Sequence, residues 1–229
     1  MNPDARSVFY KDSGRLPLAS RLSFTARKRI FDFFMQVMRP SSETNVLDIG
    51  VTSDVSFRES NFFEQFYPFK DRLICIGTEN ATSLEQLYLG IRFRHVQPGQ
   101  PLPFSDKQFD IAFSNAVVEH VGGVQGQCAF ITEACRVARR VFIATPNRWF
   151  PIEHHTGVPL LHYLPKLLYR HLVSQTPLEY WAHEEHLNLL NKREFTKLFP
   201  IEYPIRVQRI GIGWGLFRSN LVAYSVGQT

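Results

Sequence analysis

Cysteine is scarce, and the three present, Cys75, Cys128 and Cys135, form no C-x-x-C pair. They give neither a disulfide framework nor a cysteine-based zinc site, so a reducing compartment is expected. The apolar stretches are interrupted by His, Pro or Lys, and none reaches the ~20 residues that cross a bilayer as a helix. The first residues lack the apolar core of a signal peptide, so the expectation is a cytoplasmic protein, soluble or attached to a membrane only peripherally. Concentrated charge is missing too. The formal balance is +5, yet no run of five or six basic residues occurs. Such scattered charge tolerates an anionic partner, a phosphorylated compound or an acidic membrane surface, without demanding one. It lacks the basic arm that would point to nucleic acid. No G-x-G-x-x-G follows the first strand-like segment, which argues against the dinucleotide-binding loop.

What is abundant is aromatic surface. Rings make up 14% of the 229 residues, and Phe alone supplies 20. So many rings predict a thick core, an aromatic-lined pocket, or both. Between Ser23 and Met38 the apolar residues Ile30, Phe33, Phe34, Val37 and Met38 fall on one helical face, and Pro40 ends the segment. We read residues 1–40 as an N-terminal helical extension and 41–229 as the main domain. In that domain short apolar runs alternate with helical patterns. Strands are expected at about 45–50, 73–77, 91–96, 109–114 and 140–144. Helices are expected near 61–66, 83–89, capped by Ser83, and 125–138. A short helix at 192–199 and two strands at 203–210 and 221–226 close the chain. This rhythm predicts a parallel sheet buried on both faces, whose ligands bind where the strands end.

The residues just after each strand therefore carry the functional reading. The first strand runs Val46-Leu47-Asp48-Ile49-Gly50-Val51, and Gly50 permits a sharp turn close to a ligand. The second ends Gly77-Thr78-Glu79-Asn80. Glu79 sits where nucleoside-binding α/β folds hydrogen-bond ribose hydroxyls, and a carboxylate offers two acceptors to two vicinal hydroxyls. After the fourth strand comes Ser114-Asn115-Ala116-Val117-Val118-Glu119-His120-Val121.

These segments, with LPFSDKQFDIAFSNAVVEHV as the most specific stretch and VLDIG and ATPN in support, resemble the class I methyltransferases dependent on S-adenosylmethionine, in the branch called type 11. The resemblance covers about Asn45 to Asn147. It implies an α/β, Rossmann-like methyltransferase fold: a mostly parallel seven-stranded sheet, helices on both faces, and a cap insertion. It implies S-adenosyl-L-methionine as cofactor. Asp48, Gly50 and Val51 would lie against its amino-acid end. Glu79 would hold the ribose, with Asn80 beside it, and Ser114 and Asn115 would lie near the sulfonium. Glu119 and His120 would stand on the methyl group's path as catalytic residues, with the alternative that His120 only orients a loop. The sequence departs from the family where Thr52 and Asp54 replace glycines of the first loop. Asp54 would meet the cofactor's ammonium or repel its carboxylate. No acid follows the third strand, where Gln97 or Gln100 would substitute.

Residues 146–190 break the rhythm. They hold six of the eight histidines and two of the three tryptophans, and we read them as an insertion over the strand ends. His154, His155, His162, Trp181 and His186 are expected to form a substrate pocket. A hydroxyl acceptor benefits from a base titrating near neutrality, for which His is the usual choice. His183-Glu184-Glu185-His186 is one residue short of the HExxH spacing, so a pocket wall is expected there and no metal. His154 to Arg170 mixes apolar, aromatic and basic residues, as a pocket lid or a helix lying on a membrane would. Pro159 and Pro165 favour the lid. The expected function is in-line methyl transfer, most simply O-methylation, to a small-molecule, saccharide or lipid-linked acceptor. The alternative is a non-catalytic scaffold that keeps the fold.

Overall fold

A computed structural model describes residues 16–57 and 59–226. The seven strands are β1 (Val46–Ile49), β2 (Leu73–Gly77), β3 (Arg92–His95), β4 (Phe109–Asn115), β5 (Ala138–Pro146), β6 (Ile205–Ile210) and β7 (Asn220–Ser225). They form one sheet in the order β3-β2-β1-β4-β5-β7-β6. β1 to β5 are parallel, whereas β7 pairs antiparallel with β5 and β6. The order reverses at β1, so β1 and β4 diverge to opposite halves and leave the crevice in which such sheets take ligands.

Among the described residues six helices accompany the strands: α1 (Leu16–Met38), α2 (Phe62–Phe66), α3 (Ser83–Leu87), α4 (Val124–Val137), α5 (Lys166–Val173) and α6 (Lys192–Lys197). α1 is described from Leu16, earlier than the Ser23 from which the helical pattern is read. Pro17 falls in its first turn, where a proline removes no intrahelical bond. Ser83 is not the cap of α3. That position belongs to Thr82, and the Asn80 side chain accepts from the Thr82 amide at 3.2 Å.

Alternation along each strand builds two cores. Leu47, Ile49, Ala112 and Ile143 face α4 and α6, while Val46, Phe113, Phe142 and Val222 face α1 and α2. The second core is a stack of rings. Phe34 of α1 meets Phe63 at 5.0 Å, Phe113 at 5.5 Å and Phe142 at 5.2 Å, each edge-on, and Phe63 stacks on Phe113 at 3.9 Å. Edge-on and offset stacks suit the ring quadrupole. α1 is therefore a layer of the sheet domain rather than an appendage to it.

Residues 147–190 cross over the C-terminal rim. Tyr169, Val173 and Ala182 form a small core of their own with Leu161, Leu164 and Leu178. Polar bonds fasten this cap to the sheet. The Gln127 amide of α4 donates to the carbonyls of Val118 (3.1 Å) and Asn188 (2.9 Å), and the Asn188 amide donates back to Gln127. The Asn188 backbone donates to Glu119, and Arg148 to Leu190. Among the described residues, no helix is long and apolar enough to cross a membrane.

Candidate active site

Two groups of residues lie at the rim. The first surrounds the turns after β1 and β2. Gly50 has φ 108°, and a side chain there would overlap Val117 of the turn after β4. The β1 and β4 turns touch there, and only glycine permits it. The Gly50 and Val51 amides both donate to Ile76 (2.8 and 3.1 Å), joining this turn to β2. The loop that lacks the usual glycines is shaped by side chains instead. Asn61, itself at φ 49°, donates to the Thr52 carbonyl at 2.9 Å and accepts from its amide at 3.1 Å. Asp54 is exposed and folds onto Ser56, while its own amide donates to the Thr52 hydroxyl. Asp54 thus engages its Oδ1 within its own turn.

Glu79 is exposed at the end of β2, and its Oε2 accepts from the Ser53 hydroxyl at 3.0 Å. Asn115 ends β4, and its Oδ1 is buried with no hydrogen-bond partner among the described residues. The rim therefore offers an accessible carboxylate and an unmet amide oxygen, acceptors suited to hydroxyl and ammonium groups. The other expected cofactor residues are placed differently. Ser114 is buried and donates to the Ile49 carbonyl at 2.8 Å. Asp48 points into the ring-rich core and hydrogen-bonds Glu64, with Cys75 also donating to Glu64 at 3.3 Å. Burial, and then the neighbouring Glu64 charge, holds the Asp48 carboxyl well above the usual range. Asn80 spends its side-chain oxygen on Thr82. Gln97 and Gln100 are exposed after β3.

The second group lies where β4, β5 and the cap meet. Glu119 is fully buried. Its Oε2 accepts from Thr145 of β5 at 2.9 Å, and its Oε1 has no hydrogen-bond partner and lies 3.9 Å from His120 Nε2. Burial pushes its carboxyl up to about 7. His120 Nδ1 lies 2.6 Å from the His186 carbonyl. A carbonyl only accepts, so Nδ1 carries a proton, and in the neutral ring the lone pair is on Nε2. His155 is oriented in the same sense by an acid. Its Nδ1 lies 2.7 Å from Glu153 Oε1, which also accepts the His155 amide, while Glu153 Oε2 accepts from Thr156. Burial opposes the Glu153 charge, but His155 and these donors outweigh it and bring the carboxyl down to about 2. The His155 ring meets His120 edge-on at 4.8 Å and Trp181 at 4.6 Å.

Of the expected pocket residues, His155, Trp181 and the His186 backbone join Glu119 and His120. His154 packs beside His155 at 5.6 Å. The His186 ring is stacked on Tyr180 at 3.8 Å. His162 is buried in the cap with Nε2 on the Phe150 carbonyl, and burial lowers its basicity. It does not join the cluster through its ring. Sequence reasoning missed Glu153, Thr145, Gln127, Asn188 and Ser53. The Glu-x-His spacing of 153 and 155 is the one local signal that would have found any of them.

Strand order and rim together define a class: the doubly wound α/β fold, whose ligands bind in the crevice where the strand order reverses. Known proteins narrow it. Residues 76–141 match the family model described as a methyltransferase domain. No curated protein sequence matches the chain. Among solved structures, a protein from Pyrococcus horikoshii OT3 aligns with TM-score 0.60 at 14% identity, over 95% of this chain and 98% of that one. A methyltransferase from Thermotoga maritima, described as a possible histamine N-methyltransferase, gives 0.56 at 14%, over 97% and 98%. The N-methyltransferase NodS of Bradyrhizobium japonicum WM9, solved with S-adenosyl-L-homocysteine, gives 0.54 at 13%, over 87% and 85%. Residues 76–141 are thus similar to a methyltransferase domain, and the fold of the whole chain is shared with solved methyltransferases.

Proposed function

We propose that this protein methylates a hydroxyl of a small-molecule, saccharide or lipid-linked acceptor at the junction of β4, β5 and the cap. The observation that carries the reading is the pairing of His155 with the buried, ionised Glu153, with its ring against His120. When bound, the cofactor supplies a methyl group already activated on a sulfonium. Glu79 and Asn115 would hold it, with Gly50 allowing the close backbone approach. What remains for the protein is to position the acceptor, exclude water and take up the hydroxyl proton. Glu153 accepts from His155 Nδ1, so the neutral ring would carry its lone pair on Nε2, the arrangement in which a carboxylate–histidine pair acts as a base. His120 presents the same nitrogen through the His186 carbonyl. Glu119 ties the turn that carries His120 to β5 through Thr145. Trp181 and the cap cover the pair.

His155→Gln is expected to lower kcat by roughly 10²–10⁴-fold, the usual worth of a general base, with S-adenosylhomocysteine affinity unchanged by calorimetry. Full activity in that variant would refute the base assignment. Failure of the wild-type protein to bind S-adenosylhomocysteine would instead favour the non-catalytic scaffold.

A further inference from the structure

A second concave surface lies on the far half of the sheet. Between α6, β6 and the start of the cap there is an open groove of about 530 Å³, lined by Trp149, Lys192, Arg193, Thr196, Lys197 and Arg209 among others. No acidic side chain lines it. Among the described residues none of its four cationic side chains makes an ion pair. The Nε of Arg209 is buried and has no hydrogen-bond partner. Glu194, the acid of α6, is turned to the Asn191 cap and to Lys166, 3.6 Å away.

A guanidinium donor out of water with no acceptor is destabilising, and the residues that border this concavity bring cations and no acid to it. An anion in the groove would meet the unsatisfied donor. The position of the groove fits a substrate. β5 and β6 are both antiparallel to β7, so β6 runs parallel to β5. Arg209 is the penultimate residue of β6, at the same rim as the turn after β4. It stands two strand spacings, about 10 Å, from β5. Arg209 shares its strand face with Val207, which packs in the core against Phe195 and Leu198 of the α6 segment. Trp149, 37% exposed, adds an apolar wall beside the cations.

We propose that this groove is an anion subsite that takes the phosphate or diphosphate group of a phosphorylated small molecule, with Arg209 and Lys197 as its principal ligands and Trp149 against the attached ring. Its role as the anchor of the acceptor rests on the methyltransferase reading; its anion binding does not. The subsite fixes the part of the acceptor that does not react, so that the hydroxyl to be methylated reaches the His120–His155 pair.

The test is calorimetry with inorganic pyrophosphate as the probe, on wild-type protein and on Arg209→Gln/Lys197→Gln, with S-adenosylhomocysteine titrated in parallel. The expected result is pyrophosphate binding that weakens with added salt and falls at least tenfold in the double variant, while S-adenosylhomocysteine binds both proteins alike. Thermal melts confirm that the variant is folded. Absence of pyrophosphate binding to a protein that still binds S-adenosylhomocysteine would overturn the subsite and leave the enzymatic reading standing. Pyrophosphate binding without S-adenosylhomocysteine binding would uphold the subsite and remove its role as acceptor anchor. Binding of a single-stranded RNA, with none of pyrophosphate, would overturn it in favour of a nucleic-acid surface.

Discussion

At the scale of single residues, the structure separates carboxyls that look alike in the sequence. Glu79, Glu119 and Asp48 all lie at or near strand ends, yet one faces solvent and two are buried. Glu79→Ala removes the accessible acceptor pair. Charge-assisted hydrogen bonds of this kind contribute roughly 1.5–3 kcal/mol, so S-adenosylhomocysteine affinity is expected to fall about 10- to 100-fold with the melting temperature unchanged. Glu119 makes an opposite kind of prediction. Its folded value of about 7 stands above the ordinary carboxyl value of 4.5, so between those limits the folded state holds a proton that the unfolded state has lost. Stability attributable to this group is full below the lower limit and declines as pH rises to the upper one, by roughly 3 kcal/mol. Glu119→Gln keeps an acceptor for Thr145 and cannot ionise. It should melt higher than wild type at pH 8, with the gap closing at pH 5. A gap of equal size at both pH values would mean that the carboxyl is not perturbed.

At the scale of elements, most of the fold was legible in the sequence and the site only partly so. Each strand was placed within two residues because continuous apolar runs such as Leu73-Ile74-Cys75-Ile76 have no other home than a sheet buried on both faces. α1 begins before the Ser23 at which its apolar face becomes regular, because Pro17 in a first turn does not interrupt a helix. Side-chain direction was the harder problem. Asp48 and Ser114 sit in family-like segments, but strand alternation turns Asp48 to the Phe63–Phe113 side, and Ser114 closes onto Ile49. Glu153 escaped notice because its partner is a histidine held in place by a cap whose path no local pattern specifies. The importance of α1 as a layer can be measured. Phe34→Ala removes a fully buried ring from contact with Phe63, Phe113 and Phe142. Denaturant melts should show a loss of about 3–5 kcal/mol. A loss below about 1 kcal/mol would mean that the helix is peripheral.

At the scale of the whole molecule, the rim is assembled from parts distant in sequence, and one polar relay holds them in register. Gln127 of α4 reaches Val118 beside the β4 turn and Asn188 in the cap, and Asn188 in turn accepts from Lys166 of α5 at 2.9 Å. Gln127→Ala strips donors from two buried carbonyls at once. The cap should then exchange its amide hydrogens faster, and acceptor KM should rise several-fold, while S-adenosylhomocysteine affinity, if Glu79 and Asn115 hold that ligand as proposed, stays constant. An unchanged exchange rate across 147–190 would show that the cap is held by other means.

The placement of Trp149, Trp181 and Trp214 has a practical consequence. These are the chain's three tryptophans, and they sit in the cap and in the β6–β7 turn, none of them in either core. Native emission is therefore an optical report on the mouth of the protein alone. A spectral change on adding a ligand can be assigned to that region without labelling. An unfolding curve followed by the same light would register the loosening of the cap and the β6–β7 turn, not the phenylalanine stack of the core, which holds no tryptophan.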